Sequence, residues 1–285
     1  MKLKTSLVLE GGGMRGVYTA GALTWLIDNG IEFDNAYGIS TGAVHLCNFL
    51  MKDKKNLFDF SVDYINDKKA LFLPALLRCG HIVDYDYLFK DILIDKVHYD
   101  MSKLQNVKTN AKVGVYDLNV GKTIYLDVRS INTNELKATT SLPLLGKVVK
   151  ENGREILDGG ITDMIPIGES INDGCNRHLI ITTKPANYVR KPAKKAIVKL
   201  MAGVYSKCKN IGKDYEIRHI NYQKQISAIK ELEKNNEAVY IYPTKTSNVT
   251  RLGGKRGELI ELFELGRSDM EARKEEIFKL LGKNA

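Results

Sequence analysis

The chain has 285 residues, 44% of them hydrophobic and 27% charged, with a formal net charge of +9 at pH 7. That length and apolar fraction supply a buried core and exclude a disordered chain, and no uninterrupted apolar run reaches the roughly 18 residues of a membrane-spanning helix. Cys47, Cys79, Cys175 and Cys208 are scattered without a C-x-x-C pair and the N-terminus lacks a secretory h-region, so the expectation is a cytoplasmic protein with reduced cysteines and neither disulfide framework nor zinc site.

The first strand candidate, SLVLE (6–10), runs into GGGMRG (11–16) and the helical pattern VYTAGALTWLIDNG (17–30). Gly11, Gly13 and Gly16 fit the G-x-G-x-x-G turn of a dinucleotide site, with Glu32 or Asp34 at roughly the 20-residue distance of a ribose-binding acid. That reading falters at the next element. The acid should close the second strand, whereas Asp34 precedes the strand FDNAYGIS (33–40), which ends in Gly38-Ile39-Ser40-Thr41-Gly42 before the helical TGAVHLCNFLMK (41–52). This is G-x-S-x-G in the strand-turn-helix setting of a nucleophile elbow, where Gly38 and Gly42 are small so that strand and helix can pass each other. A serine attacking an acyl carbon creates an oxyanion, which needs preorganised N–H donors about 3 Å away. Gly11, Gly12 and Gly13, with the positive end of the following helix behind them, can supply such donors.

Residues 52–105 read as helix-rich and irregular, with Pro74, Gly80 and the run VDYDYLFKDIL (83–93), a cover for the sheet or for a pocket. NAKVGVYDL (110–118) and KTIYLDVR (122–129) flank NVG and predict a hairpin. GKVVKENGREILDGG (146–160), RHLIITTKP (177–185) and EAVYIYP (237–243) add short β-branched strands, and 218–234 and 255–281 read as helical. The alternation implies a mainly parallel sheet covered on both faces. Without a repeat or linker, the expectation is a single domain over 1–285 with a basic helical C-terminal portion of about 184–285.

The net charge is concentrated. Thirteen Lys/Arg stand against four Asp/Glu between Lys184 and Lys234, an excess equal to that of the whole chain. In KPAKKAIVKLMAGVYSK (191–207), Ile197, Val198, Met201, Val204 and Tyr205 share a helical face beside Lys191, Lys195 and Lys199, a pattern suited to peripheral contact with an anionic membrane; packing of that face on the sheet is the alternative. No helix-turn-helix, zinc spacing or aromatic RNA-binding motif accompanies the charge, so nucleic acid is not an expected partner. Oligomeric state leaves no signature in the sequence.

A serine alcohol needs a base. His81, His98, His178 and His219 follow the elbow helix without supporting context, and His178 marks a strand entrance. Asp158 in ILDGG is better placed, after a short strand and before two glycines, on what reads as an exposed turn. An aspartate with an ordinary pKa near 3.9 is a feeble base for an alcohol unless its surroundings raise its proton affinity.

With GGGMRG, GISTG and DGG in this order, the chain resembles the patatin-like phospholipase family. ATTSLPLL (138–145), DMIPIGESINDGCNRHLIITTKP (163–185), RHINYQKQISAIKELE (218–233) and VTRLGGKRGELIELFELG (249–266) are also similar to family members, so the resemblance covers nearly the whole chain. It implies a three-layer α/β/α fold with a mainly parallel central sheet. It further implies hydrolysis of acyl esters of phospholipids, lysophospholipids or neutral lipids by a Ser-Asp dyad, with no histidine, cofactor or metal. Carried over by position, Ser40 is the nucleophile, Asp158 the base, Gly11, Gly12 and Gly13 the oxyanion hole, and Arg15 the basic residue of that loop. A short-chain esterase or thioesterase with the same dyad, and a catalytically silent lipid-binding protein, are the alternatives.

Overall fold

A computed structural model of the chain describes residues 3–283. The strands are β1 (Thr5–Leu9), β2 (Asn35–Ile39), β3 (Asn110–Asp117), β4 (Lys122–Asp127), β5 (Val149–Glu151), β6 (Arg154–Asp158), β7 (Arg177–Ile181) and β8 (Ala238–Ile241). They form one sheet in the order β5-β6-β3-β2-β1-β7-β8, with β4 paired to β3. The block β3-β2-β1-β7-β8 is parallel; β4, β5 and β6 join it antiparallel.

The central strands are buried along most of their length because both faces are covered, as the alternation of contacts shows. Leu7, Leu9, Leu179, Ile181, Val239 and Ile241 enter one core, while Val8, Ile180, Ala238 and Tyr240 enter the other. The first core lies under α1 (Val17–Asp28), α2 (Thr41–Leu50) and the Arg256–Ala272 helix; the second lies under the Arg218–Lys234 helix, through Tyr222, Ile226 and Ile229. The result is the α/β/α sandwich. α1 is buried almost all round because the Arg256–Ala272 helix crosses it closely: a Cβ on Gly21 would stand 1.9 Å from the Phe263 carbonyl oxygen.

Several expectations take definite form. The hairpin closes as Asp117↔Lys122, with Gly121 at φ +74°. Residues 52–105 fold as short helical turns, and Phe60, Ile65, Leu71, Val83, Leu88 and Phe89 from this region wall an apolar cavity beside Ser40, so it covers a pocket. The helical 255–281 is broken at Arg273 into Arg256–Ala272 and Lys274–Leu280.

The expected apolar face of 191–207 is divided. In the Lys195–Val204 helix Met201 is buried, with Tyr205 just after it, while Ile197 and Val204 are exposed together with Leu200. The helix touches the body by a stripe narrower than its apolar arc: it packs mainly against the short Ile211–Glu216 helix, and Met201 and Tyr205 reach the cluster that holds Tyr116 of β3 and Leu157 of β6. No helix among the described residues is long and apolar enough to cross a membrane. Cys47, Cys175 and Cys208 are buried free thiols and Cys79 is an exposed one.

Candidate active site

In a parallel sheet the loops after the carboxyl ends of the strands gather along one edge. β1 delivers Glu10 and the glycine loop there, β2 delivers Ser40, and β7 delivers Thr183 and Lys184. Ser40 caps α2 with φ 56° and ψ −130°, a conformation that costs an L-residue about 1–3 kcal/mol. The flanking glycines permit it. A Cβ on Gly38 would lie 2.7 Å from the Gly42 carbonyl oxygen, and one on Gly42 would lie 2.7 Å from that of Glu10. Because the strain belongs to any side chain at position 40, Ser40→Gly is expected to melt at a higher temperature than Ser40→Ala. Calorimetric midpoints check this, and equal midpoints would mean that the elbow stores no strain.

Register brings the carboxylate to the serine. β2 and β6 lie end to end along the same strand, with Ile39 opposite Gly114 and Asp158 opposite Val115, one position further on. Asp158 is 3% exposed, so the exposed turn expected from the sequence is corrected: the residue closes β6 inside the protein, with Gly159 pressed against the β3 backbone. Its carboxylate accepts the Gly160 N–H at 2.7 Å. Burial pushes its pKa above the ordinary carboxylate value, and the Ser40 hydroxyl as hydrogen-bonding neighbour, the Gly160 N–H, Arg218 and Arg251 oppose that rise.

The glycine loop lies against the elbow, and a Cβ on Gly11 would meet that of Ser40 at 2.7 Å. Its amides are not equivalent. The Gly11 N–H donates to the Met164 carbonyl at 3.3 Å and the Gly12 N–H to the Thr41 hydroxyl at 3.2 Å. Gly13, at φ +60°, has no acceptor for its N–H among the described residues. Arg15, in the turn Gly13–Gly16, lines the same cleft as Ser40, Asp158 and Gly11, Gly12 and Gly13.

The sequence reading missed the groups that hold this loop. Glu10 is fully buried and ion-paired to Lys184, and it accepts the Thr183 N–H at 2.6 Å and the Thr183 hydroxyl at 2.9 Å. Thr183 in turn packs under Gly12, where a Cβ would come within 2.6 Å of its hydroxyl. Burial pulls Lys184 down to about 8 although Glu10 favours its charge. Arg190, Arg218 and Arg251 also line the cleft. The basic excess of 184–234 was visible in the sequence, but three of its members, Lys184, Arg190 and Arg218, face the cleft and not an outer surface. An apolar cavity opens on the other side of Ser40, walled by Met14, Val44, Phe60, Leu88, Phe89 and Leu142.

The rejected readings can be located. Asp34 accepts the Thr5 N–H and hydroxyl, each at 2.8 Å, at the opposite end of β1 from the glycine loop, and Glu32 pairs with Lys52 on the surface. Neither faces the loop as a ribose-binding acid would. His178 stands at the same far end, its Nδ1 2.9 Å from the hydroxyls of Ser6 and Ser170, and His219 is beside the Glu216 carbonyl. His45 is buried in α2 without a partner for either ring nitrogen among the described residues, and burial holds it neutral, with its pKa lowered to about 4.

A family model described as patatin-like phospholipase matches residues 7–171, and one for a domain of unknown function matches 208–282. The uncharacterized protein YjjU of Escherichia coli (strain K12) is 25% identical over 274 residues, covering 93% of this chain and 75% of that protein. The crystal structure of VipD from Legionella pneumophila aligns with a TM-score of 0.43 at 13% identity, covering 95% of this chain and 67% of that one.

Proposed function

The chain belongs to the patatin-like phospholipase family, and from that premise we propose that it is a serine acyl hydrolase acting on lipid esters, with Ser40 as nucleophile and Asp158 as base. The observation that carries this reading is the β3 register, which sets the buried Asp158 beside the strained Ser40 and the glycine loop. Ser40 Oγ attacks the ester carbonyl carbon as its proton passes to Asp158, and the tetrahedral intermediate expels the alcohol, which takes that proton. Water then attacks the acyl-enzyme with Asp158 again as base, and the fatty acid leaves. The raised proton affinity of Asp158 suits this double use.

The Gly13 N–H, and the Gly12 N–H once the Thr41 hydroxyl rotates away, donate to the oxyanion; losing one such donor typically costs on the order of 10²–10³ in turnover. The apolar cavity takes the acyl chain, which favours a lipid over a short-chain ester or thioester. Intact-mass spectrometry after incubation with an alkyl fluorophosphonate is the direct test. One adduct, mapped to Ser40, is expected, and a protein that stays unlabelled would make this a silent lipid-binding member. A chain-length series of nitrophenyl esters then separates a lipid hydrolase from a short-chain esterase.

The exposed Ile197, Leu200 and Val204, beside the exposed Lys191, Lys194, Lys195 and Lys199, support peripheral contact with an anionic bilayer. Co-sedimentation with phosphatidylglycerol vesicles is expected to exceed that with phosphatidylcholine vesicles, to weaken with salt, and to fall in a Leu200→Glu/Val204→Glu variant. Binding indifferent to lipid charge and salt would count against it.

A further inference from the structure

Four guanidinium groups surround Ser40 and Asp158, and three of them, Arg190, Arg218 and Arg251, lie beyond the patatin-like match. Arg218 and Arg251 fall inside the segment matched by the domain of unknown function. The ion-paired arginines, Arg78, Arg129, Arg154, Arg256, Arg267 and Arg273, are a different set. Carboxylates in the cleft do not balance the charge, since Glu10 is taken by Lys184 and Asp158 offers one negative charge when ionised.

The cations are held in place without being neutralised. Arg218 donates its Nε to the Gly160 carbonyl at 2.5 Å and lies 5.4 Å from the Tyr215 ring centroid. Arg190 lies 5.0 Å over the Tyr222 ring, and its Nε is buried with no hydrogen-bond partner among the described residues. Arg251 is fixed through its backbone, whose carbonyl accepts the Met14 N–H at 3.0 Å. Burial, then Arg190 and Arg251, lower Arg218 to about 10. Clustered, partly buried cations of this kind repel one another and are relieved by an anion.

This cleft and the apolar cavity meet at Ser40, Gly13, Leu142 and Arg251. Resting on the serine-hydrolase reading above, the geometry points to an acyl ester whose alcohol half ends in a phosphate monoester, a lysophosphatidic-acid type of lipid, with Arg190, Arg218 and Arg251 binding the phosphate. The acyl chain occupies the apolar cavity, the ester carbonyl faces Ser40, and the dianion reaches the guanidinium groups, whose planar forks match phosphate oxygens. A choline or ethanolamine cap would place a cation among cations and is rejected by like-charge repulsion. The C-terminal segment thus supplies the head-group site of a catalytic centre built by the rest of the chain.

The test compares oleoyl lysophosphatidic acid, oleoyl lysophosphatidylcholine and monoolein in mixed micelles of neutral detergent, with the full chain. The expected result is a kcat/KM for the phosphate monoester about tenfold or more above the other two. In Arg190→Gln, and independently in Arg251→Gln, that preference shrinks mainly through KM. Equal rates on all three substrates, or a preference that survives both substitutions, would overturn the proposal.

If no ester is cleaved and no fluorophosphonate adduct forms, the hydrolase reading has failed, and binding is measured by calorimetry on the same protein. Tighter binding of oleoyl lysophosphatidic acid than of the choline lipid, lost in Arg190→Gln, still supports the phosphate site, and indifference to the head group overturns it. Glycerol 3-phosphate separates the sources of the anion: competition at millimolar concentration supports a site for the phosphate itself. A preference absent in these neutral micelles and present only when the micelles are made anionic would assign it to surface charge and overturn the site.

Discussion

Ser40→Ala is expected to lower ester turnover by on the order of 10⁴-fold or more and to abolish fluorophosphonate labelling. Among the described residues no other hydroxyl combines the 56°/−130° backbone of the elbow with the Asp158 carboxylate and the glycine loop. Alanine inherits the strained backbone and removes only the hydroxyl, so circular dichroism stays that of the parent. Rates on a nitrophenyl ester and a lysolipid check the loss. Label retained on a different serine would remove Ser40 from the mechanism, whatever the rates.

Asp158→Asn is expected to have nearly as large an effect, because nucleophile and base act as one unit and their losses do not add. Asparagine keeps the size of the side chain and an oxygen for the Gly160 N–H, now 2.7 Å from the carboxylate, but accepts no proton from Ser40. Two further readouts follow from the raised pKa. Asp158 must be ionised to act, so the acid limb of kcat/KM falls at a higher pH than an ordinary aspartate would give.

For stability the sign is reversed relative to a salt-bridged aspartate. Between the ordinary value of 3.8 and the raised one, the folded state holds a proton that the unfolded state has released. Stability is therefore lost as pH rises through that window, and ionised Asp158 is a net cost above it. Asp158→Asn is accordingly expected to raise the thermal midpoint at pH 7 while silencing the enzyme. A variant that melts lower with full activity would deny Asp158 its role. His178→Ala is the contrasting substitution: its ring contacts Ser6 and Ser170 at the far end of the sheet, so turnover persists.

The sequence by itself determined the elements that depend on neighbours along the chain. Gly38 announces the elbow because a Cβ there meets the Gly42 carbonyl at 2.7 Å, a local steric fact that leaves a local signature, although the room Gly42 itself makes is for the distant Glu10 carbonyl. The same holds for the strand GGGMRG terminates, for the hairpin closed by Gly121, and for the Arg218–Lys234 helix. DGG was legible as a turn, but not the burial of Asp158, which β3 imposes from more than forty residues earlier in the chain.

Only the tertiary structure decided what lies around those turns. Glu10, Thr183 and Lys184 meet because β1 and β7 are parallel neighbours, and Arg15, Arg190, Arg218 and Arg251 converge from four separate connections. In the sequence Lys184, Arg190 and Arg218 are members of a charge excess, and nothing in one dimension says whether such an excess points outward to a bilayer or inward to a cleft. The division of the 195–204 helix into a buried Met201 and an exposed Ile197, Leu200 and Val204 has the same origin. Periodicity states that residues share a face; what covers the face depends on strand order, which links residues too far apart for any local pattern to record.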